Sequence, residues 1–101
     1  MRPIHLVHLD KVRPAVVLTN EYVLPRLRNV TIAPITSTIR GLSTEVPVGT
    51  ENGLDHDSVV SCDNITTVPK SCLGRQVGSL LPQQEAALAA AIVQAFDLDV
   101  P

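Results

Sequence analysis

Short runs rich in valine, isoleucine and threonine occupy most of the chain, separated by proline, glycine, asparagine and aspartate. Branched side chains suit the pleated surface of a sheet and the separating residues favour turns, so the pattern predicts a series of short strands. The predicted strands are Ile4–Leu9, Ala15–Thr19, Val30–Ser37, Thr44–Val48, Ser58–Ser61, Asn64–Val68 and Gln76–Leu80.

The C-terminal fifth has a different pattern, which predicts a helix. Pro82 opens an alanine-rich segment that continues to about Leu98 without glycine or proline. Proline suits the first helical position, and Glu85 complements the positive end of the helix dipole. The apolar stripe expected to pack on the sheet is Leu88, Ile92 and Phe96, with Ala89 and Val93 beside them and Phe96 in the core.

Six or seven short strands and one terminal helix indicate a mainly β fold, a small and strongly bent antiparallel sheet or barrel. The chain has 101 residues, so we expect one domain over residues 1–101. No apolar run approaches the roughly 18 residues of a membrane span, and Met1 is not followed by a hydrophobic signal region. We therefore expect a cytoplasmic protein that does not bind membranes.

Charge is unevenly distributed along the chain. The formal net charge of -2 argues at first sight against a nucleic-acid binder. Residues 1–40, however, hold six basic and two acidic side chains, a net charge of +4, whereas residues 41–101 hold two basic and eight acidic ones, a net charge of -6. A basic segment attracts phosphates, although basic side chains that merely solvate loops give the same count.

The cysteines and histidines do not form a recognisable metal site. Cys62 and Cys72 are separated by nine residues, which fits neither a CxxC redox pair nor a zinc framework, and we expect ordinary core or surface thiols. His5 and His8 stand an odd number of positions apart in one strand and point to opposite faces. No GxGxxG or P-loop pattern is present. We expect no metal and no organic cofactor.

Arg13 is a candidate anion-binding residue. Pro14 follows it and fixes the direction of the chain, and a guanidinium can donate two hydrogen bonds to one phosphate. The third predicted strand ends in hydroxyl residues that can donate to the same phosphate oxygens, namely Thr36, Ser37 and Thr38. β-propensity combined with turn polarity also accounts for this hydroxyl run.

Five segments stand in a fixed order along the chain: RPAVVL at 13–18, VTIAPITS at 30–37, GLDHDSVV at 53–60, DNITTV at 63–68 and LGRQVGSL at 73–80. Together they resemble the PemK/MazF toxins of bacterial toxin–antitoxin modules, over about residues 4–98. The resemblance implies an SH3-like small barrel of the CcdB/PemK/MazF type with a C-terminal α-helix.

The resemblance also implies a function. It predicts a homodimeric, metal-independent endoribonuclease, the toxin of a type II toxin–antitoxin system, that cuts single-stranded RNA at short sequences. It further implies a cognate antitoxin whose extended C-terminal segment fills the RNA groove.

The resemblance assigns roles to three positions. The family's catalytic arginine corresponds to Arg13, its partner threonine to Thr36, and the serine of its GLxxDS segment to Ser58, which helps to shape the phosphate pocket or the fold beneath it. Asp57 and Ser58 fit equally a turn that caps the next strand through local hydrogen bonds. Further candidates for phosphate or RNA binding are Lys11, Asn20, Ser37, Thr38, Arg40 and His56.

His56 is the candidate general base. RNA carries its own nucleophile, the 2′-hydroxyl, and Arg13 and Thr36 are expected to stabilise the charge that develops on the phosphate. An arginine is a poor base because its pKa lies above about 12, whereas the pKa of an unperturbed histidine is about 6.5. A solvated turn histidine is the alternative interpretation of His56.

Two features depart from the family pattern. Family members usually carry a long Gly/Ser-containing loop between the first two strands, but only residues 10–12 separate Leu9 from Arg13 here. Tyr22 and Phe96 are the only aromatic residues, which favours base recognition by hydrogen bonds over stacking.

Two alternative functions remain open at this stage. A non-catalytic CcdB-like toxin that binds DNA gyrase shares the barrel, but such proteins usually carry a tryptophan near the C-terminal tip and this chain has none. A generic SH3-like module that binds proline-rich peptides needs an aromatic groove, which one tyrosine and one phenylalanine cannot build.

Overall fold

Seven antiparallel strands and one C-terminal helix form the structure, a computed structural model that describes residues 1–100. The mainly β fold predicted from the sequence is confirmed. The strands are β1 (Pro3–His8), β2 (Val12–Val17), β3 (Asn29–Thr36), β4 (Glu45–Val48), β5 (Ser58–Ser61), β6 (Thr66–Pro69) and β7 (Leu73–Ser79), and the helix is α1 (Pro82–Phe96).

The first hairpin is tighter than the sequence pattern predicts. β1 ends at His8 and β2 begins at Val12, so only three residues connect them. Val7 pairs with Arg13 in this hairpin, which places Arg13 inside β2 and not ahead of it. The pairing of β2 with β3 begins at Ala15, so the missing N–H of the preceding Pro14 costs no hydrogen bond to β3.

β3 determines how the sheet bends. The strands lie in the order β4-β5-β3-β2-β1-β7, and β6 also pairs with β3. The first half of β3, residues 29–32, pairs with β6, whereas Ile35 and Thr36 pair with β5. One long strand therefore serves two partners in succession, and its C-terminal end lies beside the beginning of β2.

Alternating side chains of the strands form two hydrophobic clusters on opposite faces of the sheet. Val16 and Ile35 belong to the larger cluster, which the helix covers with Leu88 and Ala91. Ala15 and Val17 belong to the smaller cluster, which packs against Leu24, Cys72 and Leu73. This alternation is the period of two expected of strands that are buried on both faces.

The helix differs from its prediction in two respects. It ends at Phe96 and not near Leu98, because Asp97 adopts the left-handed conformation with a φ of 50°. Phe96 is 53% exposed and does not belong to the core. The buried stripe runs through Gln84, Leu88 and Ala91, with Ile92 and Ala95 half-buried, while Ala89 is exposed. No helix within residues 1–100 has the length and apolar character needed to cross a membrane.

A buried pair of side-chain amides joins the helix to the segment before β5. Asn52 is only 1% exposed, and its Oδ1 accepts hydrogen bonds from the Gly49 N–H at 3.0 Å and from Gln84 Nε2 at 3.1 Å. Its Nδ2 donates to Gln84 Oε1 at 2.6 Å and to the Ser79 carbonyl at 3.0 Å. Every hydrogen-bonding position of the Asn52 amide is thus used, as burial of a polar group demands.

The backbone around Asn52 packs directly on β7. Gly53 has a φ of 86°, and a side chain there would collide with the Val77 carbonyl. A side chain at Gly78 would collide with the Asn52 carbonyl. Two glycines therefore permit a contact between two backbones, and that contact fixes residues 52–54 against the C-terminal half of β7.

Replacement of Asn52 by alanine tests this joint. Asn52→Ala removes the partner of the buried Gly49 N–H and two hydrogen bonds of the buried Gln84 amide, so we expect the free energy of unfolding to fall by about 3 kcal/mol. Asn64→Ala is the control, since Asn64 is exposed and makes one side-chain hydrogen bond, to Ser61 Oγ at 2.8 Å. Urea denaturation of both variants provides the measurement, and equal destabilisation would contradict the role of Asn52.

Candidate functional site

A cavity of about 420 Å³ opens where β1, β2, β3 and β7 approach residues 53–58. Apolar side chains of the larger cluster's face line its base, among them Leu54 and Val77. The polar groups around it come from separate parts of the sequence. The cavity is thus formed by the fold and not by any one segment.

Arg13 and Thr36 both line this cavity. Ala15 of β2 pairs with Pro34 of β3. Because the two strands are antiparallel, Arg13, two residues before Ala15, lies at the same end of the pair as Thr36, two residues after Pro34. The Arg13 side chain is exposed, and Thr36 is half-buried. Thr36 Oγ1 accepts a hydrogen bond from the Thr38 N–H at 3.1 Å, which leaves the hydroxyl hydrogen of Thr36 available to a ligand.

Ser37 and Thr38 line the cavity as well and are exposed at its edge. They follow the last residue of β3, where the chain leaves the sheet. The hydroxyl run of the sequence therefore does face one cavity together with Arg13. Four side chains with donor groups, from β2, from the end of β3 and from the two residues after it, line the same cavity, which suits an anionic ligand.

Ser58 lines the cavity and also makes a local hydrogen bond. It is 6% exposed and lines the cavity, and its hydroxyl donates a hydrogen bond to the His56 carbonyl at 3.3 Å. That local bond holds the loop that carries His56. The His56 side chain is exposed and also lines the cavity, so an imidazole lies within the same site as Arg13.

Three of the sequence candidates, Lys11, Asn20 and Arg40, lie outside this cavity. Lys11 is in the hairpin turn, where its carbonyl accepts a hydrogen bond from Leu9 at 3.2 Å. Asn20 lines a second cavity of about 240 Å³, and its Oδ1 accepts from the Tyr22 N–H at 2.8 Å. Arg40 belongs to a loop whose backbone N–H groups, at residues 40, 41 and 42, bind the Glu45 carboxylate.

The cavity contains two charged residues that sequence reasoning missed, Asp55 and Arg75. Both are exposed. Arg75 is one of only two basic residues in the acidic part of the chain, residues 41–101, and it lies within the LGRQVGSL segment. Its position in that segment could have indicated a role, but the net negative charge of residues 41–101 drew attention away from it. The division into a basic and an acidic part therefore placed Arg13 in the basic part but gave no indication of Arg75.

The two cysteines are structural. Cys62 is fully buried in the larger cluster, and this burial, with a smaller effect of the neighbouring Asp63, raises the pKa of its thiol to about 11. Cys72 is half-buried against the smaller cluster. Within residues 1–100, no group of three or more histidine, cysteine, aspartate or glutamate side chains is arranged to hold a metal ion.

Comparison with known families decides what kind of protein carries this cavity. Residues 6–96 match the family described as PemK-like, MazF-like toxin of type II toxin-antitoxin system. The chain belongs to this family. The match covers the cavity and nearly all of the strands and helix, so the PemK/MazF resemblance predicted from the five sequence segments is confirmed.

Relatives within the PemK/MazF family are similar over their whole length. The endoribonuclease MazF3 of Mycobacterium tuberculosis is 64% identical over 99 residues, which are 98% of this chain and 96% of the relative. The structure of the Mycobacterium tuberculosis toxin MazF-mt6 is 63% identical, covers 98% of this chain and 100% of its own, and superposes with a TM-score of 0.95.

A third comparison involves a complex. The endoribonuclease in complex with its cognate antitoxin from a Mycobacterial species is 25% identical, covers 98% of this chain and 95% of its own, and has a TM-score of 0.86. These comparisons favour the endoribonuclease function over the gyrase-binding alternative.

The raised pKa of Cys62 predicts selective labelling of the thiols. At pH 8 a thiol with a pKa near 11 is about 0.1% ionised, so we expect iodoacetamide to modify Cys72 at least tenfold faster than Cys62 in the folded protein. Above pH 9 the unfolded chain releases the Cys62 proton while the folded chain retains it. The free energy of unfolding therefore decreases between pH 9 and pH 11 because of this thiol. Mass spectrometry of alkylated peptides measures both rates, and equal labelling would refute the burial argument.

Proposed function

We propose that the protein is the toxin of a type II toxin–antitoxin system and acts as a metal-independent endoribonuclease on short sequences of single-stranded RNA. The family match and the 64% identity to an endoribonuclease support this function. The observation that carries the proposal is the convergence of Arg13 and Thr36 on one cavity. Both are then phosphate-binding and catalytic residues.

The chemistry uses the substrate's own hydroxyl. The 2′-oxygen attacks the adjacent phosphorus, the bond to the 5′-oxygen breaks, and the products are a cyclic phosphate and a 5′-hydroxyl end. Negative charge on the phosphate oxygens increases in the transition state. The Arg13 guanidinium and the free hydroxyl hydrogen of Thr36 donate hydrogen bonds to that charge, and their fixed backbone positions avoid reorganisation during the reaction.

Two protons must move during this reaction. The 2′-oxygen loses one, and the departing 5′-oxygen gains one. Arginine stays protonated in proteins, so Arg13 acts as an electrostatic stabiliser that donates a hydrogen bond to the leaving oxygen, and that oxygen takes its proton from solvent water. His56 lines the same cavity and is the base in this proposal, with Ser58 holding the loop that carries it.

The partners follow from the same family. In this proposal the protein is a cytoplasmic homodimer, and each chain forms one toxin domain over residues 1–101. A cognate antitoxin inhibits the toxin through an extended segment that lies in the RNA groove. The solved complex of a relative with its antitoxin supports this partner. Ser37 and Thr38 lie at the cavity edge, where hydrogen bonds to RNA bases are available.

Cleavage of a long single-stranded RNA in excess EDTA tests the function. We expect the wild-type protein to cut the RNA, and we expect Arg13→Ala and Thr36→Val each to lower the rate about 10²-fold to 10³-fold, since each variant removes one donor to the developing charge. Thr36→Ser retains a hydroxyl and is expected to keep most of the activity. Arg28→Ala is the matched control, because Arg28 is an exposed arginine that lines neither cavity.

Sequencing of the fragment ends identifies the cut site and the cyclic phosphate. An intact RNA after incubation with folded wild-type protein would overturn the proposed function. Equal cutting by wild type and Arg13→Ala would overturn the role of Arg13 alone. A single-stranded DNA of the same sequence should remain intact, because it has no 2′-hydroxyl.

A further inference from the structure

β7 contains a bulge directly beside the cavity. In β1, one residue lies between His5 and Val7. Their partners in β7, Gln76 and Leu73, have two residues between them, so one residue of β1 stands opposite two of β7. The single residue is Leu6, and the two opposite it are Gly74 and Arg75. A bulge of this kind redirects a side chain, and Arg75 and Leu6 both line the cavity.

Two contacts hold this bulge in place. The His5 ring nitrogen Nδ1 donates a hydrogen bond to the Gly74 carbonyl at 2.8 Å. Gly74 also lies close to β1: a Cβ atom there would stand 2.5 Å from His8 Nε2 and 3.1 Å from the Leu6 carbonyl oxygen. A side chain at this position would displace the His8 ring and crowd the Leu6 carbonyl, so glycine suits the close approach of the bulge to β1.

The cavity thus has an arginine on each side of β1. Arg13 comes from β2 and Arg75 from β7, and these strands are the two neighbours of β1 in the sheet. Two strand spacings separate their backbones by about 10 Å. Asp55 is the only carboxylate among the residues that line the cavity, so the three formally charged side chains have a net positive charge.

A single-stranded RNA carries one negative charge per nucleotide, so a chain laid across the cavity brings more than one phosphate into it. We propose that Arg75 binds the phosphate next to the one that is cleaved and so fixes the direction in which RNA crosses the site. This assignment rests on the proposed endoribonuclease function. It makes Arg75 a substrate-binding residue whose contact is the same before and during the reaction.

Uniform binding of this kind has a distinct kinetic signature. A contact present in both the ground state and the transition state affects KM and leaves kcat unchanged. We expect Arg75→Ala to raise KM about tenfold, the effect of a lost charge-assisted hydrogen bond, with kcat within about twofold of wild type. Arg13→Ala should instead lower kcat. The substrate is an oligoribonucleotide containing the cut site identified in the fragment sequencing.

Salt dependence gives a second measurement without cleavage. Binding of a 2′-O-methyl oligonucleotide of the same sequence is measured across a range of salt concentrations, since this probe lacks the nucleophile. Loss of one phosphate contact lowers the slope of log affinity against log salt by about 0.7 for a single strand. Arg75→Ala should show this decrease, Arg75→Lys should restore most of the slope, and Arg28→Ala should match wild type.

The outcomes separate the two proposals. If wild-type protein cuts RNA and Arg75→Ala matches Arg28→Ala in KM and in salt slope, the assignment of Arg75 is wrong and the proposed function stands. A fall in kcat with unchanged KM would also overturn it, because Arg75 would then act in the transition state. If wild-type protein does not cut RNA, the proposed function itself fails. Circular dichroism of each variant verifies that it is folded.

Discussion

The amide pair of Asn52 and Gln84 is the interaction on which the rest of the site depends. It joins the first turn of α1 to the segment that continues into the cavity wall, and through Ser79 it also joins β7. Hydrophobic packing alone is tolerant of small displacements, whereas four directional hydrogen bonds in a buried position are not. The positions of Leu54, Asp55 and His56 relative to Arg13 are therefore specified by polar groups within an otherwise aliphatic core.

The strand pattern and two of the residues that line the cavity, Arg13 and Thr36, were predictable from the sequence. Branched residues between turn residues located all seven strands within a few positions, and β5 coincides with its predicted bounds. Arg13 and Thr36 were found because each lies next to a distinctive local feature, a proline after the arginine and a hydroxyl run after the threonine. Local chemistry of this kind is visible without knowledge of strand pairing.

Other features depend on pairing and could not be predicted in this way. Arg75 lies in a bulge beside the cavity, and this bulge exists only in the register between β1 and β7. The exposure of Phe96 depends on which helical face meets the sheet, and a polar residue, Gln84, belongs to that face. Asn20 and Arg40 are near the site in sequence only: β2 runs from the cavity toward the second cavity that Asn20 lines, and the loop of Arg40 turns around the Glu45 carboxylate.

The dependence of the cavity on Gln84 has a consequence for synthesis of the chain. A protein emerges from the ribosome with its N-terminal part first, and Gln84 lies within the last fifth of the sequence. The strands that carry Arg13 and Thr36 leave the ribosome well before the residues that complete the amide pair. An unfinished chain therefore contains Arg13 and Thr36 before it contains the glutamine that completes the buried amide pair behind the opposite wall of the cavity.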